Sequence, residues 1–227
     1  MISMEFIVAS CKEWHREGFQ QLSTSLAHHK WLWISNPEEL NEVLKDIKPR
    51  YIFFLHWNWL VPESIWSELE CICFHMTDVP YGRGGSPLQN LIEAGKSETI
   101  MTALRMVREM DAGPVYKKLP LSLSGRAEDI YIRAGFLCYD LIRWVIDVQP
   151  EPVEQSGEVT IFKRRTPDQS VLPVTGELVD LFDHIRMLDA PTYPMAFIDY
   201  GAFRIEFSDA EIEGDNIKAE VIIRRQS

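Results

Sequence analysis

Residues 51–87 read YIFFLHWNWLVPESIWSELECICFHMTDVPYGRGGSP. Tyr51–Leu55 and Cys71–Phe74 are short, continuous apolar runs, the pattern of strands buried on both faces of a parallel sheet. Pro62–Leu69, between them, reads as a short helix. Upstream the alternation repeats. Glu5–Ser10 is strand-like, and Trp14–Leu26 has helical spacing. Trp31–Ile34 is strand-like, and Asn36 and Pro37 have the N-cap and first-turn chemistry for a helix to Ile47. Repeated β-α-β units predict an α/β fold: a doubly wound, mostly parallel, Rossmann-type sheet. Ligands of such sheets bind beyond the carboxyl ends of the strands. That rule selects Ser10–Trp14, His56–Leu60 and His75–Gly85.

Downstream, helices are expected over Pro87–Ala94, Thr99–Met110 (stopped by the turn DAGP) and Ala127–Ile146, and a strand over Val115–Leu123. A Pro/Glu-rich linker follows at Gln149–Gly157. Glu177–Leu188 looks helical, and alternating segments at Ala196–Ile198, Phe203–Phe207 and Ala219–Ile223 suggest a small β-rich appendage. The expected organisation is a catalytic domain over 1–157, then a linker and a small C-terminal subdomain over 158–227.

The 227 residues carry 23 Lys+Arg against 34 Asp+Glu, a formal charge of −11. So acidic a surface repels phosphate backbones overall, and no nucleic-acid partner is expected. The N-terminus lacks the basic and apolar regions of a signal peptide, and no apolar run reaches membrane-spanning length. Four cysteines without a CxxC pair fit a reducing compartment. A cytoplasmic protein with no membrane partner is expected.

The stretch FHMTDVPYGRGGSP at 74–87 places His75, Thr77 and Asp78 within four residues past a buried strand, before a glycine-rich loop. A second acidic turn, MDAGP at 110–114, lies 36 residues beyond His75. Together these resemble the formyltetrahydrofolate-dependent formyltransferases, which show Asn-x-His, a small hydroxyl residue and a Pro-bearing loop, then T-x-x-T…D-x-G. TIMTALRMVREMDAG at 99–113 is similar to that second segment. FKRRTPD at 162–168 resembles the Arg-Arg-Thr-Pro linker of sugar and transfer-RNA formyltransferases, and IRMLDAPTYPMAF at 185–197 their RAL…YPGAF segment. The matches run in order from Phe74 to Phe197.

The resemblance implies formyl transfer from N10-formyltetrahydrofolate to an amine, with no metal. It assigns His75 as general base and Asp111 as its electrostatic partner, a fitting task for an imidazole near its working pKa. The family's asparagine falls at Cys73, and a thiol is a much weaker donor for the formyl oxygen. Asn58, just past the third strand, is the candidate replacement; its other reading is a helix cap near Pro62. Folate contacts are expected from Leu60, Val61, Met110 and Asp111, and acceptor contacts from Thr77, Tyr81, Arg83, Gly84 and Trp14. The acidic balance and the short region after Val174 favour a nucleotide-linked amino-dideoxy sugar as acceptor, including a precursor of the pseudaminic-acid type, over methionyl-transfer RNA. A non-catalytic folate- or nucleotide-binding relative is the further alternative. A homodimer is a further expected partner arrangement.

Overall fold

The computed structural model describes residues 3–191 and 193–226; Thr192, inside the motif at 185–197, lies outside the described residues, as do the first two residues of the N-terminus. Contacts divide the chain into two units. One comprises the residues up to Arg83 with Ile100–Leu121 and Ile132–Ile161. The other comprises Gly84–Thr99, Ser122–Tyr131 and the residues from Phe162 on.

The first unit is built on β1 (Glu5–Ala9), β2 (Lys30–Ile34), β3 (Tyr51–Phe54), β4 (Cys71–His75), and two further strands, β6 (Glu98–Arg105) and β7 (Val115–Ser122). Their spatial order is β2-β1-β3-β4-β6-β7. The first four are parallel, with β1 beside both β2 and β3, and β3 beside β4. The mostly parallel α/β reading therefore holds. Phe6–Ala9 and Tyr51–Phe54 are buried along their lengths, as strands covered on both faces must be. Helices α1 (Arg16–Ser25), α2 (Pro37–Val43) and α3 (Glu63–Trp66) fill the crossovers, and α5 (Ala127–Val148) follows β7. The α2 start is as expected: Asn36 accepts a hydrogen bond from the Glu39 N–H at 2.9 Å, and Pro37 takes the first turn.

The helix expected over Thr99–Met110 is not formed. That segment is β6, antiparallel to β4, with Cys73 opposite Leu104 and His75 opposite Thr102. Met101, Ala103 and Leu104 are good helix formers, but the slot between β4 and β7 buries Met101–Leu104 entirely, and that packing outweighs local preference. The residues after Arg105 form the turn that returns the chain to β7.

In the second unit β9 (Ala196–Tyr200), β10 (Phe203–Glu213) and β11 (Asn216–Arg225) form an antiparallel sheet in the order β11-β10-β9. The expected β-rich C-terminal region is present. Helix α6 (Leu178–Arg186) packs on β10, and α4 (Pro87–Glu93) on α6. Two-residue strands β5 (Arg83–Gly84) and β8 (Ile161–Phe162) form a separate short ladder. No helix among the described residues is long and apolar enough to cross a membrane.

Candidate active site

His75 is the last residue of β4, at the carboxyl edge of the parallel strands, and is buried. Its Nε2 lies 2.7 Å from the Gly82 carbonyl oxygen, and the Thr77 hydroxyl donates to the same oxygen at 3.2 Å. A carbonyl only accepts, so Nε2 carries the hydrogen in this contact and the lone pair of a neutral ring sits on Nδ1. Nδ1 faces Asp111 Oδ2 at 3.6 Å. That is an ion-pair distance once the ring is protonated, and too long for a direct hydrogen bond. The loop is anchored from the neighbouring strand: Thr102, opposite His75, donates its hydroxyl to the Thr77 carbonyl at 2.8 Å. Gly82 itself has φ +72°, where a side chain would be strained.

Asp111 sits in the β6–β7 turn with φ +54°. The turn is tight because the Arg105 N–H binds the Pro114 carbonyl at 2.9 Å. A Cβ on Gly113 would stand 1.9 Å from the Arg105 oxygen, so only glycine fits there. Gln155 crosses this turn. Its amide donates to the Asp111 and Gly113 carbonyls, both at 2.8 Å, and accepts from Arg83 Nε at 3.0 Å and Nη2 at 2.8 Å. Gln155 carries no signal in the sequence, where it is one amide in a polar linker. The Gly82 carbonyl was equally invisible, being backbone. Thr102 is legible in the sequence only as one letter of the motif at 99–113.

Cys73 lies two residues before His75 on the same strand. Burial first, then the Asp111 carboxylate, pushes its thiol well above the ordinary range, and Sγ points to the Leu104 carbonyl at 3.7 Å. It is a neutral packed thiol, not a nucleophile. Asn58 is exposed in the loop after β3 and does not cap α3, whose N-cap is Pro62. Leu60 (84% exposed) on that loop and Met110 (61% exposed) on the β6–β7 turn are apolar and open, while Val61 is half-buried. Arg108 and Glu63 join the two segments by an ion pair at 3.0 Å. Tyr81, Arg83 and Gly84 continue the loop after β4, half-buried.

Trp14 belongs to a different cluster, in the loop after β1. Its ring meets that of His56, and His15 Nε2 lies 2.8 Å from His56 Nδ1. Burial is the main reason that His15 is held down to about 2 and His56 to about 4, with the His56 ring and Lys12 adding to the effect on His15, and Lys12 to that on His56. Both rings are therefore neutral. A cleft of about 640 Å³ opens at the opposite edge of the sheet, among Glu5, Lys30, Lys48, Arg50, Glu68 and Glu70. Its cations and carboxylates balance, and it is remote from the carboxyl edge that carries His75.

A family model described as "Methionyl-tRNA formyltransferase, C-terminal domain" matches residues 167–224. A methionyl-tRNA formyltransferase of Mycoplasma mycoides is 25% identical over 84% of this chain and 64% of that protein, so the chain spans under two thirds of that relative's length. A solved structure of a methionyl-tRNA formyltransferase from Clostridium thermocellum is 41% identical, covers 98% of this chain and 100% of its own, and superposes with a TM-score of 0.95. A 4-N formyltransferase from Francisella tularensis shares the fold (TM-score 0.70) at 15% identity. These findings overturn the expectation of a nucleotide-linked amino-sugar acceptor, since the substantial identity is to proteins named for methionyl-tRNA, whereas a sugar N-formyltransferase from Shewanella sp FDAARGOS_354 shares only the architecture, at 18% identity and a TM-score of 0.64. With that identity over nearly the whole length, and with His75 and Asp111 facing each other at a strand edge, the chain belongs to the formyltransferase family that includes the methionyl-tRNA formyltransferases.

Proposed function

We propose that the protein transfers a formyl group from N10-formyltetrahydrofolate to the amino group of methionyl-tRNA. The observation that carries the reading is the His75–Asp111 pair, with one ring nitrogen occupied and the other free for a proton. The donor fits the apolar, exposed Leu60 and Met110, on segments tied by Arg108 and Glu63. A flat bicyclic ring suits such an apolar surface, with loop backbone to read its polar edge. When bound, the folate supplies the formyl carbon and the nitrogen that leaves it. The chain's residues do the rest. His75 Nδ1 takes the proton that the amine must lose as it attacks, and that proton balances the one the folate nitrogen gains as its bond to the formyl carbon breaks. The imidazolium so formed is held by the Gly82 carbonyl on one side and Asp111 on the other. Thr77, Tyr81, Arg83 and Gly84 line the loop that meets the acceptor, and Asn58 donates to the formyl oxygen.

The acidic net charge does not oppose an RNA acceptor as the bare sum suggested. Charge summed over a surface says little about one site, and the reacting end of an aminoacylated RNA presents only its amine and terminal nucleotide there. The test is steady-state turnover with N10-formyltetrahydrofolate and methionyl-tRNA, alongside a panel of nucleotide-linked amino sugars. Transfer to methionyl-tRNA is expected, reduced by roughly 10²–10⁴-fold in His75→Ala, with calorimetric affinity for 5-formyltetrahydrofolate nearly unchanged. A His75→Ala enzyme of near-normal kcat would overturn the mechanism; turnover of a sugar but not of methionyl-tRNA would overturn the acceptor.

A further inference from the structure

We propose that Gln155 is a positioning residue, whose amide clamps the Asp111 turn to Arg83 and thereby holds the Asp111 carboxylate against His75. The inference rests on His75 and Asp111 acting as proposed above, and deepens that reading.

The amide uses its full capacity. Both N–H groups reach carbonyls, those of Asp111 and Gly113, and its oxygen takes two guanidinium N–H groups of Arg83. Its orientation follows from those partners, since a carbonyl cannot donate and a guanidinium cannot accept. The segment carrying it is pinned in register by the reciprocal Val115–Val153 bonds, at 2.7 and 2.8 Å. Along 153–157, Gln155 alone is half-buried, and its neighbours are exposed.

Asp111 needs such a clamp. Its φ of +54° is a conformation that asparagine and aspartate tolerate better than most residues but that none but glycine favours. The turn carries its carboxylate on a left-handed residue, with the neighbouring Met110 and Glu109 exposed. The Gln155 contacts also close a circuit around the imidazole. Arg83 follows Gly82, whose carbonyl holds Nε2; Gln155 links Arg83 to the Asp111 turn; and Asp111 faces Nδ1. Both ring nitrogens are thus positioned by groups tied to one another. No other side chain of this length does the same. Glutamate would keep Arg83 but turn a carboxylate oxygen toward two carbonyls, and asparagine is one methylene too short to span both partners.

Gln155→Glu separates positioning from bulk structure, because it retains the Arg83 contact and the shape. Thermal melts of Gln155→Glu are expected within a few degrees of wild type. Its kcat should fall roughly 10–100-fold, as for a misplaced catalytic group, with KM for the folate unchanged. Gln155→Ala, which leaves the same partners to water, should lose less. In the Asp111→Asn background, Gln155→Glu should cost little more. A readout independent of any acceptor is the ¹⁵N NMR signal of the His75 ring, assigned by its loss in His75→Asn. Gln155→Glu should move that signal in the same sense as Asp111→Asn. If wild type fails to formylate methionyl-tRNA yet this shift appears, the acceptor reading falls and the clamp stands. Wild-type kcat in Gln155→Glu, losses that multiply fully with Asp111→Asn, or an unmoved His75 signal would each overturn the clamp.

Discussion

The neutral His15–His56 pair has a consequence for acid stability. Both rings titrate in the folded chain below the ordinary value of 6.5, to about 2 and about 4. The unfolded chain therefore binds protons between pH 6.5 and 4 that the folded chain refuses, and stability rises with pH across that window. The stabilisation is complete above pH 6.5 and is lost as pH falls toward 4, by up to about 1.4 kcal/mol per pH unit for each ring. Replacing the pair by His15→Gln with His56→Asn, the latter chosen because His56 has φ +46°, should flatten the slope of urea-unfolding free energy between pH 6.5 and 5. An unchanged slope would assign the acid sensitivity elsewhere. A second residue-scale prediction concerns Asn58 and Cys73. Asn58 is exposed and caps no helix, so Asn58→Ala should leave the melting temperature alone and lower kcat roughly 10²-fold, the scale of a lost oxyanion donor. Cys73→Ser should be near neutral in rate. The reverse pattern in steady-state kinetics would refute the replacement of the family's asparagine by Asn58. The strand-end rule alone selects the loop that begins at His75, but its pairing with Asp111 is legible only through the resemblance, because 36 residues of chain separate the two. Gln155 was not legible at all: its role depends on backbone carbonyls that a sequence does not display.

At the scale of elements, the parallel strands could be read directly because burial on both faces makes them continuous apolar runs, as YIFF in β3 shows. β6 could not, since its Met, Ala and Leu are equally at home in a helix and the deciding force is the neighbouring β4. That strand also has a task in the site. Thr102 is fully buried and its hydroxyl holds the Thr77 carbonyl at 2.8 Å, fixing the start of the loop whose Gly82 carbonyl orients His75. Thr102→Val keeps the shape and removes the donor. A buried acceptor left without it costs about 1–3 kcal/mol, so urea melts should show a loss of that order, together with a lower kcat. Thr102→Ser should restore both. If Thr102→Val lost stability but kept full kcat, the bond would serve folding only.

At the scale of the whole molecule, net charge is a poor guide to an RNA acceptor of the kind proposed, since a sum hides which cations are already taken. From Phe162 onward the chain has eight Lys+Arg against twelve Asp+Glu. Arg165 pairs with Glu93, Arg186 with Asp183, Arg204 with Asp199, Lys218 with Glu213 and Arg224 with Glu206. Among the described residues, Lys163, Arg164 and Arg225 have no carboxylate at ion-pair distance, and all three are exposed. Lys163 and Arg164 are adjacent, which makes them the cations of this stretch best able to meet a phosphate. With methionyl-tRNA as the proposed acceptor, two or three neutralised phosphates give a shallow salt dependence: affinity for it should fall roughly 10- to 50-fold between 50 and 200 mM salt, against thousands-fold for six or more contacts. Lys163→Ala with Arg164→Ala should weaken RNA binding and reduce the slope of log affinity against log salt by about one per residue removed. Folate affinity should not change, because neither side chain belongs to the His75 site. Filter binding across a salt series measures the slope. A slope as steep in the double variant as in wild type would place the RNA contacts on other cations, with the terminal unit contributing none through this pair.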